Sequence, residues 1–256
     1  VEAHLQWQLR VAKGVQQRLF PQKHPRLASL DYAAFCQPAL EMSGDYFDFL
    51  DLGAGKLGLL VVDVVGKGVP AALLMASIHA AVRSRAPLLA DRCGDLLSEL
   101  NTLLYEATDS GTFAAIFYAV YHEATRMLTY SNAGHEPPLL FRAATRDFAR
   151  LESQTVPVGL LAELRAAQST VELAAGDRLL ICTDGVTETQ NDAGEEFGTD
   201  RLRTFLGSRQ ERTAEELRDE VLAALKQHRQ GGRQADDVTL ITLRVLDNDA
   251  SRAAHG

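Results

Sequence analysis

Cysteine is scarce: the 256 residues contain three, Cys36, Cys93 and Cys182. No two have Cys-x-x-Cys spacing. An odd, sparse count excludes a disulfide framework and fits reduced thiols in a cytoplasm. A cysteine-nucleophile phosphatase needs an arginine six residues after its thiol. Those places hold Met42, Glu99 and Glu188, so that chemistry is excluded. A zinc-type HExxH helix is also missing, because His135-Glu136 runs into two prolines. Long apolar runs are lacking; the longest, FAAIFYAVY (113–121), is under half of the roughly 20 residues a membrane-spanning helix needs. No basic-then-apolar leader pattern opens the sequence. It begins at Val1, so an upstream part is expected. Positive charge is in deficit, with 26 Lys and Arg against 34 Asp and Glu, a net −8. Such a surface repels nucleic-acid phosphate and anionic membrane, which makes neither an expected partner.

What is present is close to globular average, with 46% apolar and 23% charged residues. Residues 1–20 read as a helix, with Leu5, Leu9, Ala12, Val15 and Leu19 recurring every three or four positions and Pro21 and Pro25 ending it. Two readings are open for it: a helix packed on its own domain, or the end of a signalling helix that pairs in a homodimer below an upstream sensor. Strand patterns follow at 30–36, 45–52 and 56–63, the last apolar enough to be buried on both faces. Helices are expected near 69–86, apolar nearly all round and so deeply buried, and near 94–108. Strands then dominate, at 112–122, 125–131, 138–142, 147–152, 170–174 and 177–183. Helices at 198–206 and 213–229 follow, the second opened by a Thr213/Glu216 capping box. A last alternating strand spans 238–246. Strands and helix pairs come in blocks instead of alternating one by one. The expected fold is therefore α+β: a four-layer α-β-β-α sandwich of two stacked antiparallel sheets flanked by helix pairs. The expected organisation is a linker or signalling helix over 1–25, one catalytic-type domain over 26–246 and a frayed tail over 247–256.

Four acidic sites share one context, the junction of a buried strand with a glycine-bearing loop. Asp45 follows Ser43-Gly44. Asp63 closes LGLLVV and precedes Gly66-Lys67-Gly68. Asp184 follows LLICT and precedes Gly185, a dipeptide common in turns. Asp236 and Asp237 lead into the last strand. If these ends converge, carboxylates about 4 Å apart repel by roughly 4 kcal/mol at an effective dielectric of 20. Protonation or hard cations must then relieve the charge. An all-oxygen aspartate site without His or Cys favours magnesium or manganese.

The segments SGDYFDF (43–49), LLVVDVVGKGVPAALLMA (59–76), SNAGHEPPLL (131–140), LLICTDGVTE (179–188) and ADDVTL (235–240) occur in the order and spacing of one family. Over about residues 14–245 the chain resembles the PPM family, the metal-dependent type 2C serine/threonine protein phosphatases, in its bacterial SpoIIE/RsbU-like branch. The resemblance implies two divalent ions, manganese or magnesium, where the sheets meet at one edge. By motif, Asp63 would bridge the ions, Asp184 and Asp236 would hold one, and Asp45 with the Val64 carbonyl would hold the other. Asp237 is the alternative to its neighbour Asp236. Asp63 and Asp184 would carry catalysis, through direct attack on phosphorus by metal-activated hydroxide without a phosphoenzyme. The implied partner is a phosphorylated protein, typically an anti-sigma-factor antagonist of STAS type bearing phosphoserine or phosphothreonine. No substrate-binding residue is assigned, and neither Lys67 nor His135 is given a catalytic role. A phosphatase-like module that binds partners without turnover, or only after a switch, is the alternative.

Two nucleotide patterns fail their context. Gly53 to Gly58 fits GxGxxG but lies between two strands, and Gly66-Lys67 lacks the rest of a P-loop. The Asp51-x-Gly53-x-Gly55 box of kinase-like ATPases lacks its upstream helix.

Overall fold

A computed structural model describes residues 2–109, 111–208 and 211–247. In chain order the elements are α1 (Glu2–Gln17), β1 (Leu30–Gln37), β2 (Tyr46–Asp51), β3 (Lys56–Val64), α2 (Val69–Arg85), α3 (Cys93–Ala107), β4 (Ala114–His122) and β5 (Met127–Ala133). Then come β6 (Leu139–Phe141), β7 (Phe148–Arg150), β8 (Ser169–Glu172), β9 (Arg178–Cys182), α4 (Asp184–Thr187), α5 (Thr199–Ser208), α6 (Ala214–Arg229) and β10 (Val238–Val245). The strands form two five-stranded sheets, ordered β1-β10-β9-β6-β7 and β2-β3-β4-β5-β8. Every strand pair is antiparallel.

Side-chain alternation explains the layers. In β3, Leu57, Leu59 and Val61 enter the core between the sheets, with Phe47, Phe117, Ile181, Ile241 and Leu243. The intervening Leu60, Val62 and Val64 face α2 and α3. Leu180, Cys182 and Leu240 of the other sheet face α5 and α6. The four-layer sandwich expected from the sequence is the one observed. The capping box also forms, with Thr213 Oγ1 accepting from the Glu216 N–H and the Glu216 carboxylate accepting from the Thr213 N–H.

Three local expectations are corrected. The α2 helix is not buried all round: Ala71, Met75, Ile78 and Val82 pack inward, whereas Val69 is exposed and Leu73 is 64% exposed. One sheet covers only one face of a helix, however apolar the other face is. Along α1, Leu5 and Val15 are exposed, as are Trp7 and Val11, and of the expected stripe only Leu19, beyond the helix end, packs on the core. Packing of α1 on its own domain is thus confined to its last turn, where the Gln16 amide donates to the Ser43 carbonyl at 2.7 Å and accepts the Ser43 N–H at 3.1 Å. Finally, β9 stops at Cys182 and Asp184 opens a single helical turn, which the Asp-Gly dipeptide had suggested to be a plain turn. The Asp51–Gly55 box is the hairpin turn between β2 and β3, where Asp51 accepts the Gly53 N–H. Of the tail expected over 247–256, all but Asp247 lies outside the described residues.

Asp48 of β2 is fully buried. Arg83 of α2 grips it with two hydrogen bonds of 2.8 and 2.6 Å, and the Tyr46 hydroxyl donates to the same carboxylate. Removing one partner of a buried pair leaves a stranded charge. Arg83→Leu is therefore expected to cost about 2–3 kcal/mol in urea denaturation, below the fully buried value because Arg83 is half-exposed and Tyr46 still donates. Arg85→Leu, which breaks an exposed pair with Glu99, should cost less than about 1 kcal/mol.

Candidate functional site

The two sheets bring their acid-bearing ends to one edge. Asp63 is the penultimate residue of β3, Asp184 opens α4 directly after β9, and Asp236 precedes β10. All three line one cavity of about 430 Å³, together with Val64, Lys67, Glu136 and Glu188. Gly185 makes this approach feasible. A Cβ there would lie 1.8 Å from the Asp237 carbonyl oxygen, so only glycine lets the Asp184 turn press against the start of β10. A larger cleft of about 650 Å³, beside residues 18–25 and α2, holds the single acid Asp51 and no acidic cluster.

Asp45 and Asp237 lie behind this front row, 2% and 5% exposed. The Asp45 Oδ2 accepts from Thr183 Oγ1 at 2.8 Å and from Thr239 Oγ1 at 2.7 Å. Asp237 accepts the Ala39 N–H at 2.7 Å on one oxygen; on the other it accepts the Gly44 N–H and the Ser43 hydroxyl, both at 2.8 Å. Asp237 therefore holds the 39–45 loop to the start of β10, and Asp45 ties β2 to β9 and β10. Thr183, Thr239 and Ser43 escaped the sequence reading, since an isolated hydroxyl carries no spacing signal.

The front row is electrostatically strained. Burial and the charges of Asp184 and Asp236 push the Asp63 carboxyl up to about 7, against partial relief from Lys67. Burial and Asp236 raise Asp184, again opposed by Lys67. Asp45 is raised well above the usual range by burial and then by Asp63. Lys67 donates to the Asp236 carboxylate at 2.9 Å and to the Ala235 carbonyl at 2.6 Å. One ammonium thus faces three carboxylates.

Among the described residues, no three His, Cys, Asp or Glu side chains stand as a closed metal cage. The fit to hard divalent cations rests instead on the donors. They are oxygen-only and grouped on one cavity, where burial and neighbouring carboxylates raise Asp63 and Asp184. His135 lines the same cavity but is buried. Its Nδ1 lies 2.8 Å from the Glu136 carbonyl, its buried Nε2 has no hydrogen-bond partner among the described residues, and burial lowers its pKa to about 4, which favours the neutral ring. Burial raises Cys36 and Cys93 to about 12 and Cys182 further, so none is an activated nucleophile.

This geometry accords with known folds. The chain superposes on the SiaA-PP2C domain of Pseudomonas aeruginosa with a TM-score of 0.83 at 19% identity, covering 95% of this chain and 98% of that one. It superposes on RsbX, solved in complex with magnesium, with a TM-score of 0.67 at 16% identity, covering 87% and 98%. These define the class as a PP2C-type fold. The model of the family described as Stage II sporulation protein E (SpoIIE) matches residues 53–246. The phosphoserine phosphatase RsbU of Bacillus subtilis is 31% identical over 95% of this chain and 72% of its own length. The chain belongs to the SpoIIE family, the RsbU-like branch of the PPM phosphatases.

A raised carboxyl pKa means that the folded, ion-free chain keeps a proton that the unfolded chain releases. The Asp63 contribution to stability is complete below about pH 4 and is lost as pH climbs through about 7. Calorimetry in chelator should show the melting temperature falling between about pH 4 and 7, and Asp63→Asn should flatten that fall. The two adjacent acids should also separate. Asp237→Ala is expected to cost about 2–4 kcal/mol in urea denaturation by stranding buried donors, whereas Asp236→Ala should cost under about 1 kcal/mol.

Proposed function

We propose that this chain is a divalent-metal-dependent protein phosphatase that hydrolyses phosphoserine or phosphothreonine on a partner protein. The observation that carries this reading is the placing of Asp63, Asp184 and Asp236 on one open cavity, where burial and the charges of Asp184 and Asp236 raise Asp63. In this proposal Asp63, Asp184, Asp236 and the Val64 carbonyl would hold two ions, manganese or magnesium. RsbX, with the same fold, was solved with magnesium. Asp45 and Asp237, the other two acids expected at the metals, are assigned to the wall behind them. A divalent ion in such a site supplies neutralisation of the phosphoryl oxygens and activation of water.

The chain's own residues supply the rest. Asp45, fixed by Thr183 and Thr239, sets the spacing of the β2, β9 and β10 ends. Asp184 and Asp63 line the cavity, placed to orient water within it. The raised thiols argue against a cysteine nucleophile; direct hydrolysis by water, without a covalent phosphoenzyme, is the route that membership of the family implies.

We assign the partner to sigma-factor regulation, with a STAS-type antagonist as substrate, by kinship with the phosphoserine phosphatase RsbU. No helix among the described residues is long and apolar enough to cross a membrane, and the proposed place of action is the cytoplasm. Trp7, Val11 and Val15, one turn apart and exposed along α1, support its reading as a linker that pairs with a second copy below a sensor. The proposed division is residues 1–25 as a linker and 26–246 as the phosphatase domain. A conditionally inactive state is a second reading, favoured by the Lys67–Asp236 contact and the lack of a closed cage among the described residues.

Hydrolysis of a phosphoserine protein and of p-nitrophenyl phosphate should require manganese or magnesium and stop in excess chelator. Asp63→Asn should lower turnover by at least about a thousandfold with the fold retained by circular dichroism. Turnover that persists in chelator, or a near-wild-type rate in Asp63→Asn, would refute the reading.

A further inference from the structure

Lys67 lies on the loop between β3 and α2, and its contacts cross to the other sheet at the start of β10. Both oxygens of Asp236 are engaged: Oδ1 accepts the Asp237 N–H at 2.8 Å, and Oδ2 takes the Lys67 ammonium at 2.9 Å. The front-row carboxylate proposed as an ion ligand is therefore capped by a cation of the chain itself. We propose that Lys67 is an exchangeable counter-cation of this centre, holding Asp236 when no divalent ion is bound and leaving it when one enters. The inference rests on reading the cavity as an ion centre, and it adds that the chain competes with the ion for its own ligand.

Three observations support exchange over a permanent bond. The contact is not sealed from water, since the Lys67 and Asp236 side chains are 39% and 46% exposed. An ion pair of that kind contributes little and reforms easily. Gly66 and Gly68 flank the lysine with φ of 93° and 73°, so the loop sits on backbone that can be redirected without side-chain strain. One positive charge also leaves the cluster unbalanced, because Asp63 and Asp184 line the same cavity while the Lys67 ammonium is engaged with Asp236 and the Ala235 carbonyl. A divalent ion brings twice the charge to the same oxygens, so the exchange runs forward once the ion is concentrated enough. Lys67 then sets a threshold for ion loading, and loading frees the β3–α2 loop from the start of β10.

The test uses the whole chain and the ions alone. Calorimetric titration with manganese should give Lys67→Gln a dissociation constant about two- to fivefold lower than wild type, the range expected of a half-exposed pair. Lys23→Gln, which removes the same charge from another exposed position, should leave the constant unchanged. In parallel, amine acetylation read by mass spectrometry should find Lys67 protected in chelator and reactive in saturating magnesium, with Lys23 reactive in both. Equal or weaker manganese binding by Lys67→Gln would overturn the proposal, as would acetylation of Lys67 that magnesium does not change. Neither readout requires turnover. A chain that binds ions but hydrolyses nothing would sink the phosphatase reading alone, while an active chain whose ion affinity ignores Lys67 would sink the exchange alone.

Discussion

Two sheets stacked face to face must end somewhere, and here one shared edge collects Asp63, Asp184 and Asp236 around a single cavity. Packing of the strands between the sheets fixes where these acids stand, and their mutual repulsion is the cost of that placement. The costs are of different kinds. Burial of apolar surface is spread over dozens of residues and favours the sandwich as a whole. Repulsion among the acids is concentrated in one small region, and it adds to burial in raising the pKa of Asp63. Local strain of this sort persists only where surrounding structure over-determines it.

The surrounding structure does so with hydroxyls and backbone amides instead of countercharges. Thr183 and Thr239 both donate to Asp45, and Ser43 with the Gly44 and Ala39 amides donates to Asp237. Neutral donors hold a carboxylate in place without cancelling its charge. An arginine in their stead would have pinned the strands equally well and removed the negative potential. The contrast lies within the same protein: Asp48, away from the cavity, is neutralised by Arg83 and serves only to tie α2 to β2.

Much of this was legible in the sequence because it follows from periodicity. The nearly continuous apolar run in KLGLLVVD gave a strand buried on both faces, and the block order of strands and helices gave the layers. Acids recurred at strand–glycine junctions, but their meeting at one edge was implied by the family resemblance and not by the residues themselves. What was not legible depends on what a side chain meets after folding. Asp236 and Asp237 are adjacent and chemically identical, yet one faces the cavity and the other the 39–45 loop. Leu73 has the composition of a buried residue but lies on the side of α2 that no sheet covers. The Asp184-Gly185 pair suggested a turn by its residue types; only the 1.8 Å approach of a hypothetical Cβ to β10 shows that the glycine is there for contact between elements.

The Gln16 clip has a mechanical meaning. A primary amide has one donating end and one accepting end, and here both engage the backbone of Ser43, as a neighbouring strand would. Ser43 in turn donates to Asp237. The last turn of α1 is thus geared, tooth against tooth, to the inner wall of the acidic pocket. Rotation or sliding of that helix by one residue's rise would disengage both teeth together, because a single side-chain amide carries them both.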